Sequence, residues 1–453
     1  MRIHFTSIGG SVMHQLAIAL QHKGYKVTGT DDEIFEPAKT NLFNEGLLLN
    51  TNGWQPDLIT EDIDAIILGM HAKADNPEIK KAQDLGLKIY SFPEYIFQES
   101  LQKTRVVVGG SHGKTTTTSM IMHVLKFLKK DFDYLVGAKL EGFNQSVNIT
   151  NAPVIICEGD EYPASAIERK PKFHFLFPHI AILTGIAWDH INVFPTFEFY
   201  LEQFVIFINK IEKGGILIYN ETDIVLKNLV EKNTREDIRY QPYNIPNYTI
   251  ENGTTTININ NAECVLKVFG NHNLLNLNAA YYACKELNIT TEEFVGAIGN
   301  FTGASKRLEL MESNDTTNVY RDFAHAPSKV KATIEAVKQQ YPHRKLIGIL
   351  ELHTYSSLNE NFMGEYNGAM EKADEAIVFY ANHALELKRM PPLPKEKVVA
   401  GFNKPNLLVI NTKEELWQWL QQQNYVDTNL VLMSSGNYDG LNMAEFAKDI
   451  VSG

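Results

Sequence analysis

The sequence has little cysteine, no long apolar run and no excess of positive charge. Its three cysteines, Cys157, Cys264 and Cys284, show neither metal-ligand spacing nor an even-numbered disulfide framework, which predicts free thiols in a reducing compartment. No apolar stretch approaches the roughly 18 to 20 residues that a membrane-spanning helix needs. The 42 Lys and Arg residues against 54 Asp and Glu give a net charge of −12. This balance disfavours nucleic acid or an anionic membrane as the main partner, whereas a local cationic pocket can still bind an anionic small molecule.

Repeats and low-complexity tracts are also missing, so the composition is that of an ordinary globular protein. With 44% hydrophobic and 21% charged residues, the chain is not of the disordered class. Its 453 residues exceed what one core can organise, and about 150 residues per domain predicts three domains. Met1 is followed at once by a polar-flanked strand, "RIHFTSI", so we expect no secretory signal and a cytoplasmic location.

Short apolar runs alternate with helical patterns at both ends of the chain. The runs "RIHFTSI", "YKVTGTD" and "DAIILGM" near the start predict strands, and similar runs recur after residue 304. Between these regions an Asn/Thr-rich stretch contains Asn252-Gly253 between alternating residues, which predicts a β-hairpin. Strands that alternate with helices form parallel sheets covered by helices. The predicted fold class is therefore α/β, with domains over residues 1–102, 103–303 and 304–453.

The strongest functional signal is "RVVVGGSHGKTTTTSM", residues 105–120, where an apolar strand runs into glycines, a lysine and four threonines. Glycines allow backbone N–H groups to turn toward a phosphate, and the helix that follows directs its positive end there. Lys114 would then neutralise the β- and γ-phosphates while Thr115 holds Mg²⁺. Val108 stands where the strict motif has glycine, so the pattern is a shortened variant. A plain turn is the alternative, but it does not require lysine and consecutive hydroxyls together.

Two acidic segments follow this loop along the chain. In "VIICEGDE" four apolar residues lead to Glu158, and a carboxylate at the carboxyl end of a buried strand is well placed to hold Mg²⁺. In "AWDHINVF" a strand leads to Asp189-His190, where a metal ligand and a structural histidine explain the pattern equally well.

Weaker signals lie near the start of the chain and after residue 304. Glycines follow the first predicted strand and Asp31 ends the second, as in a dinucleotide-binding fold, although a tight turn with a helix cap explains them equally well. Near residue 304, Arg307 is a single cation between two predicted domains. Asp322 and His325 lie in a strand-to-helix loop, before a helix that we expect Ser328 to cap. Caps and turns account for these residues nearly as well as binding does.

Taken together and in this order, the motifs resemble the Mur ligase family of ATP-dependent ligases, which join amino acids or peptides to UDP-N-acetylmuramic acid. The matching segments are "GGSHGKTTTT", "EGDEYPA", "WDHINVF", "GNHNLLNLNAA", "KRLEL" and "DFAHAPSK". The resemblance implies a Rossmann-like UDP-sugar domain (1–102), a P-loop ATPase domain with a parallel sheet and an added β-hairpin (103–303), and a Rossmann-like domain for the incoming amine (304–453).

The resemblance also implies roles for individual residues, with Mg²⁺ as cofactor and ATP as co-substrate. ATP would be bound by Gly110, Ser111, His112, Gly113, Lys114, Thr115, Thr116, His272, Asn273, Asn276, Arg307 and Asp322. The UDP-sugar would be bound by Gly9, Gly10, Ser11 and Asp31, the metal by Thr115, Glu158 and His190, and the peptide by His353, Ser356, Ser435 and Asn437. The catalytic residues would be Lys114, Glu158, His190, Arg307 and His325. Some members use a carbamylated lysine about fifteen residues past the position of His190; Gln203, Phe204 and Val205 stand there, so we do not expect that modification.

Two reactions of the family are compatible with the sequence. "VLMSSGNYDGL" and "EYPASAIERKPKFHFLFPHIAIL" resemble members that attach L-Ala-γ-D-Glu-meso-diaminopimelate to UDP-N-acetylmuramate in peptidoglycan recycling, whereas "ELHTYSSLN" resembles those that attach L-alanine in de novo synthesis. We expect the tripeptide, with L-alanine as the alternative. Folylpolyglutamate synthase shares the ATPase block but lacks a separate UDP-sugar domain. A nucleotide-binding regulator without chemistry is disfavoured by the intact set of Lys114, Glu158 and His190.

Overall fold

The computed structural model describes residues 1–49, 52–70, 72–137, 140, 142–143, 145–165, 167–188, 193–303 and 307–452. Contacts divide the chain into two compact units. The first comprises Met1–Pro246 with Leu275–Ile298, and the second Asn247–Leu274 with Gly299–Gly453. The domain boundaries expected from the sequence, after residues 102 and 303, stay a prediction.

The first unit contains two sheets and the helices that cover them. Its strands are β1 (Arg2–Thr6), β2 (Lys26–Thr30), β3 (Ala65–Leu68), β4 (Ile89–Ser91), β5 (Thr104–Gly109), β6 (Asp133–Leu135), β7 (Val147–Asn148), β8 (Val154–Glu158), β9 (Ile180–Leu183), β10 (Ile216–Asn220) and β11 (Arg239–Tyr243). Its helices are α1 (Met13–His22), α2 (Ala38–Asn44), α3 (Pro77–Asp84), α4 (Phe92–Glu99), α5 (Lys114–Phe127), α6 (Phe197–Asn209), α7 (Ile224–Lys232), α8 (Asn271–Glu286), whose first turn belongs to the second unit, and α9 (Thr291–Ile298).

The second unit contains the remaining elements. Its strands are β12 (Asn247–Glu251), β13 (Thr254–Ile259), β14 (Ala262–Leu266), β15 (Glu309–Ser313), β16 (Thr317–Asp322), β17 (Lys345–Glu351), β18 (Glu375–Phe379), β19 (Leu408–Ile410) and β20 (Thr428–Met433). Its helices are α10 (Pro327–Gln340), α11 (Asn382–Leu387), α12 (Lys395–Phe402), α13 (Lys413–Gln421) and α14 (Met443–Ser452).

Parallel strand pairing dominates both sheets of the first unit. The sheet near the chain start has the order β2-β1-β3-β4 and is parallel throughout. The larger sheet has the order β11-β10-β9-β5-β8-β6-β7; β7 pairs antiparallel with β6, and its other strand pairs within the described ranges are parallel. Strand β5 lies at the centre of this sheet, and Val106, Val107 and Val108 are fully buried. A central parallel strand is covered on both faces, which is why its sequence is a continuous apolar run rather than an alternating one.

The second unit combines a parallel-rich sheet with a small antiparallel one. The large sheet has the order β15-β16-β20-β17-β18-β19; β15 pairs antiparallel with β16, and the other described strand pairs are parallel. The expected hairpin is confirmed: Asn252 and Gly253 have φ of 51° and 73°, and β12, β13 and β14 form one antiparallel sheet. Two successive positive φ values match the right-handed strand twist, and Asn-Gly adopts them at low cost.

Helix α10 packs on the large sheet of the second unit as the sequence predicts. Val330, Ile334 and Val337 share its buried face. The predicted cap is wrong, because the helix begins at Pro327 with Ala326 as its N-cap and Ser328 lies within the first turn. Proline fixes φ near the helical value and has no N–H to satisfy, which favours it at this first position.

The cysteines are free thiols, as expected. Cys157 and Cys284 are fully buried, whereas Cys264 on β14 is partly exposed. Burial raises the pKa of the Cys157 thiol to about 12. Across the described ranges, no helix combines the length and apolar character needed to cross a membrane.

Candidate active site

The predicted phosphate loop lies between the central strand β5 and helix α5. Gly110 and Gly113 have φ of 127° and 81°, in the region that side chains with a Cβ rarely adopt. Lys114 is the first residue of α5, directly after Gly113. The glycines therefore supply the tight bend, and the positive end of a fourteen-residue helix faces the loop.

Lys114 is held by two partners within this loop region. Its Nζ donates hydrogen bonds of 2.7 Å to the Gly110 carbonyl and 2.7 Å to Oε2 of Glu161. Glu161 is only 1% exposed. Burial lowers the pKa of Lys114, but attraction by Glu161 and Asp160 outweighs it, so the pKa lies above the ordinary value and the side chain stays cationic. The sequence placed Glu161 in an acidic segment but did not pair it with the lysine.

Thr115 and Glu158 are brought together as the metal prediction requires. The Thr115 hydroxyl donates a 2.6 Å hydrogen bond to Oε1 of Glu158, and Oε2 of that carboxylate accepts one of 2.9 Å from the Gly137 N–H. Hydroxyl and carboxylate oxygens are donors that suit Mg²⁺, which usually completes its coordination with water and substrate phosphate. No group of three His, Cys, Asp or Glu able to hold a metal occurs in the part of the chain that the structure describes. The third expected ligand, His190, lies outside the described residues.

Helix α8 contributes Asn276 to the same loop. The Thr117 hydroxyl donates to Oδ1 of Asn276 at 3.3 Å, and a Cβ on Gly113 would overlap that side chain. Asn276 thus lies beside the loop, and its role in binding the nucleotide stays a prediction.

In the region expected to bind the UDP-sugar, Gly9 and Asp31 meet at the carboxyl ends of β1 and β2. The Gly9 N–H donates a 2.7 Å hydrogen bond to Oδ2 of Asp31, and a Cβ on Gly9 would lie 2.9 Å from that oxygen. The turn also contains Gly10 and the exposed Ser11. The four predicted residues are therefore close in space, with the carboxylate engaged by the backbone of the glycine turn.

A second carboxylate of this region was missed by the sequence reasoning. Glu78 on α3 is fully buried and accepts hydrogen bonds from Thr30 at 2.6 Å, the Gln55 N–H at 2.7 Å and Thr6 at 3.0 Å. Its Oε2 also lies 3.3 Å from His4 Nε2. Glu78 therefore ties together the ends of β1 and β2 and a loop from residue 55. Its position in an ordinary helical pattern gave no signal of this role.

In the second unit, the residues expected near the ribose and the reacting groups lie around the end of β16. Oδ2 of Asp322 accepts a 2.7 Å hydrogen bond from Thr333, Oδ1 accepts one of 3.0 Å from the Ala324 N–H, and burial raises the pKa of this carboxyl. The Arg307 guanidinium lies 5.2 Å from the centre of the Phe323 ring. Nδ1 of His325 lies 2.8 Å from the Phe323 carbonyl. Arg307, Asp322 and His325 thus form one cluster.

Two further predicted nucleotide residues belong to the start of α8, in the second unit. Nδ2 of Asn273 donates a 2.9 Å hydrogen bond to the Phe269 carbonyl. Burial, with a smaller repulsion from Arg307, lowers the pKa of His272 to about 4, so the ring is neutral at physiological pH. A neutral imidazole can offer one donor and one acceptor to a base.

The residues expected to contact the peptide meet at the ends of β17 and β20, around a carboxylate that the sequence reasoning missed. Glu351 is 2% exposed; its Oε2 accepts hydrogen bonds from the Ser434 hydroxyl and, at 2.9 Å, from the Tyr438 N–H. Its Oε1 lies 3.9 Å from Nδ1 of His353. Of the expected residues, Ser356 and Asn437 are exposed, whereas the buried Ser435 hydroxyl has no hydrogen-bond partner within the described residues.

Comparison with known proteins places this geometry in a family. Three family models match in succession: "Mur ligase family, catalytic domain" over residues 2–102, "Mur ligase middle domain" over 108–284 and "Mur ligase, glutamate ligase domain" over 306–436. The UDP-N-acetylmuramate–L-alanine ligase of Sulfurihydrogenibium sp. (strain YO3AOP1) is 31% identical over 383 residues, which cover 83% of this chain and 82% of the relative.

Two solved structures have the same fold. The murein peptide ligase of Psychrobacter arcticus 273-4 superposes with a TM-score of 0.61 at 21% identity, covering 100% of this chain and 99% of that one. The UDP-N-acetylmuramate–alanine ligase of Thermotoga maritima superposes with a TM-score of 0.65 at 22% identity, covering 100% and 98%. At these identities the superpositions show the fold alone, and they confirm the α/β class.

A phosphate loop on a central parallel strand, in a chain matched along most of its length by these models, defines an ATP-dependent ligase. The chain belongs to the Mur ligase family, whose members form amide bonds with ATP. The roles given to individual residues stay predictions.

Proposed function

We propose that the chain joins the tripeptide L-Ala-γ-D-Glu-meso-diaminopimelate to UDP-N-acetylmuramate in peptidoglycan recycling, as a cytoplasmic enzyme. One observation carries this proposal. Residues 431–441, which resemble the corresponding segment of the tripeptide-attaching members, are hydrogen-bonded to Glu351 at the end of β17. The loop thereby lies beside His353 and holds the buried Ser435 hydroxyl.

The surroundings of this loop offer more polar groups than L-alanine needs. Tyr355 is 63% exposed, and the Lys388 ammonium lies 5.1 Å from the centre of its ring. His383 lies 3.2 Å from Asp439 at the other end of the loop. A tripeptide with several carboxylates is complementary to histidines and a lysine spread along one edge, whereas a single small amino acid would leave most of them unused.

The proposed chemistry has two steps. A carboxylate oxygen of the muramic acid attacks the γ-phosphorus of ATP, which forms an acyl phosphate and releases ADP. The peptide amine then attacks the acyl carbon, loses a proton, and phosphate departs with the bonding electrons. The contribution of the protein to both steps is positioning and charge stabilisation. Lys114 and the start of α5 would act on the phosphates, and Arg307 on the charge that develops during transfer.

Mg²⁺ fits the oxygen donors of Thr115 and Glu158, and when bound it would neutralise charge on the phosphates. Of the predicted ligands in the described residues, these two lie within 2.6 Å of each other. Glu158 is held by the Gly137 N–H, which fixes its orientation toward the loop. The Gly137 N–H and the Thr115 hydroxyl therefore hold the two carboxylate oxygens in place beside the loop.

A second candidate is the attachment of L-alanine itself. The relative that is 31% identical carries that activity in its name, and the segment "ELHTYSSLN" with His353 and Tyr355 resembles members of that kind. Both candidates use the same ATP site and the same UDP-sugar, so they differ only in the amine.

The test measures ADP release with ATP, Mg²⁺ and UDP-N-acetylmuramate, with either L-alanine or the tripeptide added, and identifies the product by its mass. We expect turnover with the tripeptide and a product larger than UDP-N-acetylmuramate by the tripeptide less water. Reactions without the sugar, and with the Lys114→Ala variant, are the controls. Turnover with L-alanine alone would overturn the proposal in favour of the second candidate.

A further inference from the structure

A chain of buried hydrogen bonds leads from helix α6 to Lys114. Tyr200, fully buried on α6, has its hydroxyl 3.3 Å from Oε1 of Glu161 and 2.8 Å from the hydroxyl of Ser111. The other carboxylate oxygen of Glu161 accepts the 2.7 Å hydrogen bond from Lys114. One carboxylate thus connects a helix outside the phosphate loop to the cation within it.

The direction of these hydrogen bonds follows from the chemistry of the groups. An ionised carboxylate only accepts, so the hydrogen between Tyr200 and Glu161 comes from the tyrosine. The tyrosine oxygen then accepts from Ser111, whose own oxygen accepts a 2.8 Å hydrogen bond from the Ala187 N–H. Each hydroxyl has one hydrogen to donate. The Ser111 hydroxyl therefore donates to Tyr200, and the Tyr200 hydroxyl donates to Glu161, so that both hydrogens are used.

Lys114 has three ammonium hydrogens, and two of them have acceptors among the described residues. The Gly110 carbonyl takes one and Glu161 takes another. Two hydrogen bonds from one ammonium fix both the position of the nitrogen and the direction of its third hydrogen. Lys114 lies at the first position of α5, so a third hydrogen fixed in this way serves a phosphate bound at the helix start.

We propose that Glu161, held by Tyr200, is the positioning residue for Lys114 and aligns its third ammonium hydrogen with the phosphate that is transferred. This inference rests on the proposed phosphate-binding role of Lys114. On this proposal Glu161 and Tyr200 act through the lysine and not on the reacting atoms. Their importance lies in alignment, since ATP binding tolerates a loosely held ammonium whereas phosphoryl transfer requires it at a defined point.

The experiment compares Glu161→Gln, Tyr200→Phe and the double variant with the full chain, measuring kcat for ADP release and the Kd for ADP. For Glu161→Gln we expect kcat to fall roughly ten- to a hundredfold, because misplacement of a catalytic group by about 1 Å has an effect of that size. The Kd for ADP should change less than about threefold, because the lost alignment is offset by removal of a negative charge near the phosphates. Tyr200→Phe should lower kcat by about three- to tenfold, because Glu161 loses the hydrogen bond from the tyrosine hydroxyl and Ser111 loses its acceptor.

The double variant separates this role from simple packing. If Tyr200 acts through Glu161, the change Tyr200→Phe has no further effect once Glu161 is glutamine. An additional loss of the same size in the double variant would show that Tyr200 acts through Ser111 instead and would overturn the proposal. Tyr243→Phe is the matched control, because Tyr243 is a buried tyrosine of the same unit whose hydroxyl has no partner in the described residues. Its kcat and Kd should equal those of the unmodified chain.

Three further outcomes are distinguishable. If Lys114→Ala keeps full activity, the phosphate role of Lys114 is wrong and this inference falls with it. If Lys114→Ala is inactive while Glu161→Gln is fully active, the role of Lys114 stands and the positioning role of Glu161 is refuted. A parallel fall in kcat, ADP affinity and thermal stability in Glu161→Gln would likewise contradict positioning, since it indicates a structural role only.

Discussion

The side-chain amide of Asn276 occupies the space that a Cβ on Gly113 would need. Gly113 also has a φ of 81°, so two independent constraints require glycine at this point of the phosphate loop. We expect Gly113→Ala to weaken ADP binding by at least about tenfold and to destabilise the first unit by about 1–3 kcal/mol, through backbone strain and displacement of Asn276.

The matched control is Gly296→Ala, because Gly296 is exposed within α9 of the same unit and a Cβ there meets nothing within 4 Å. Alanine is favoured over glycine inside a helix, so this variant should be as stable as the unmodified chain or more so by up to about 1 kcal/mol. Isothermal titration with ADP and thermal unfolding make the comparison. Equal ADP affinity in both variants would show that the loop does not bind the nucleotide.

The contact between Thr115 and Glu158 predicts the metal dependence of the reaction. With Glu158→Gln, one anionic donor to Mg²⁺ becomes a neutral amide, and the Mg²⁺ concentration for half-maximal ADP release should rise by more than about tenfold. Glu231→Gln serves as the control, since Glu231 is an exposed carboxylate on α7 of the same unit. An unchanged Mg²⁺ requirement in the Glu158 variant would remove this residue from the metal site.

The secondary structure around the site could be predicted because its signals are local. The apolar run of β5, the glycines after it and Lys114 at the start of α5 are consecutive in the chain, so their arrangement follows from short-range rules. The Asn252-Gly253 hairpin turn is local in the same way. The failed prediction was also local: Pro327 begins the helix, so Ser328 lies inside the first turn and is not at the N-cap position.

The residues that the sequence reasoning missed act across neighbouring strands. Glu161 reaches Lys114 from 47 positions away because β8 pairs with β5, and Glu351 reaches Ser434 from 83 positions away because β17 pairs with β20. Strand order is set by how the whole sheet packs, and no short pattern in the sequence states it. A carboxylate that becomes buried only through such pairing has the same local sequence pattern as an ordinary solvated acid.

Gly436 provides a test of the proposed amine site. A Cβ at this position would lie 2.8 Å from Oε2 of Glu351 and 2.8 Å from Cγ of His353, although its φ is not in the left-handed region. We expect Gly436→Ala to shift the loop and raise KM for the amine by about tenfold or more, with the Kd for ADP unchanged.

The control for this prediction is Gly364→Ala, an exposed position of the same unit where a Cβ meets nothing within 4 Å. Steady-state kinetics with the amine varied at saturating ATP and sugar give the comparison. If KM for the amine is the same in both variants, the loop at residues 434–438 does not bind the amine.

His174 predicts a component of the pH dependence of stability. It is 5% exposed, Nε2 lies 2.8 Å from the Gln203 carbonyl and therefore carries the hydrogen, and burial lowers its pKa to about 4 from 6.5. The folded chain binds this proton less readily than the unfolded chain. The contribution of His174 to the free energy of unfolding is therefore fully present above pH 6.5. It is lost as the pH falls toward 4, by about 1.4 kcal/mol per pH unit.

Urea unfolding at pH 7 and pH 5 measures this effect in the unmodified chain and in His174→Gln, which cannot take up a proton. Between these two pH values the free energy of unfolding of the unmodified chain should fall by about 2 kcal/mol more than that of the variant. The reason is that pH 5 lies about 1.5 units below 6.5, the pKa of the unfolded chain. Equal losses would mean that the imidazole is not held neutral by the fold.

The burial of two of the three cysteines has a practical consequence for spectroscopy. Cys157 and Cys284 lie in the interior with raised thiol pKa values, whereas Cys264 is partly exposed on β14 of the second unit. Thiolate is the form that reacts with maleimides, and burial raises the pKa of all three thiols, so access to the reagent is what separates Cys264 from the two interior cysteines. The native chain thus has one thiol that a maleimide can label, on the small antiparallel sheet. A single fluorophore attached there reports on the second unit without any engineered cysteine.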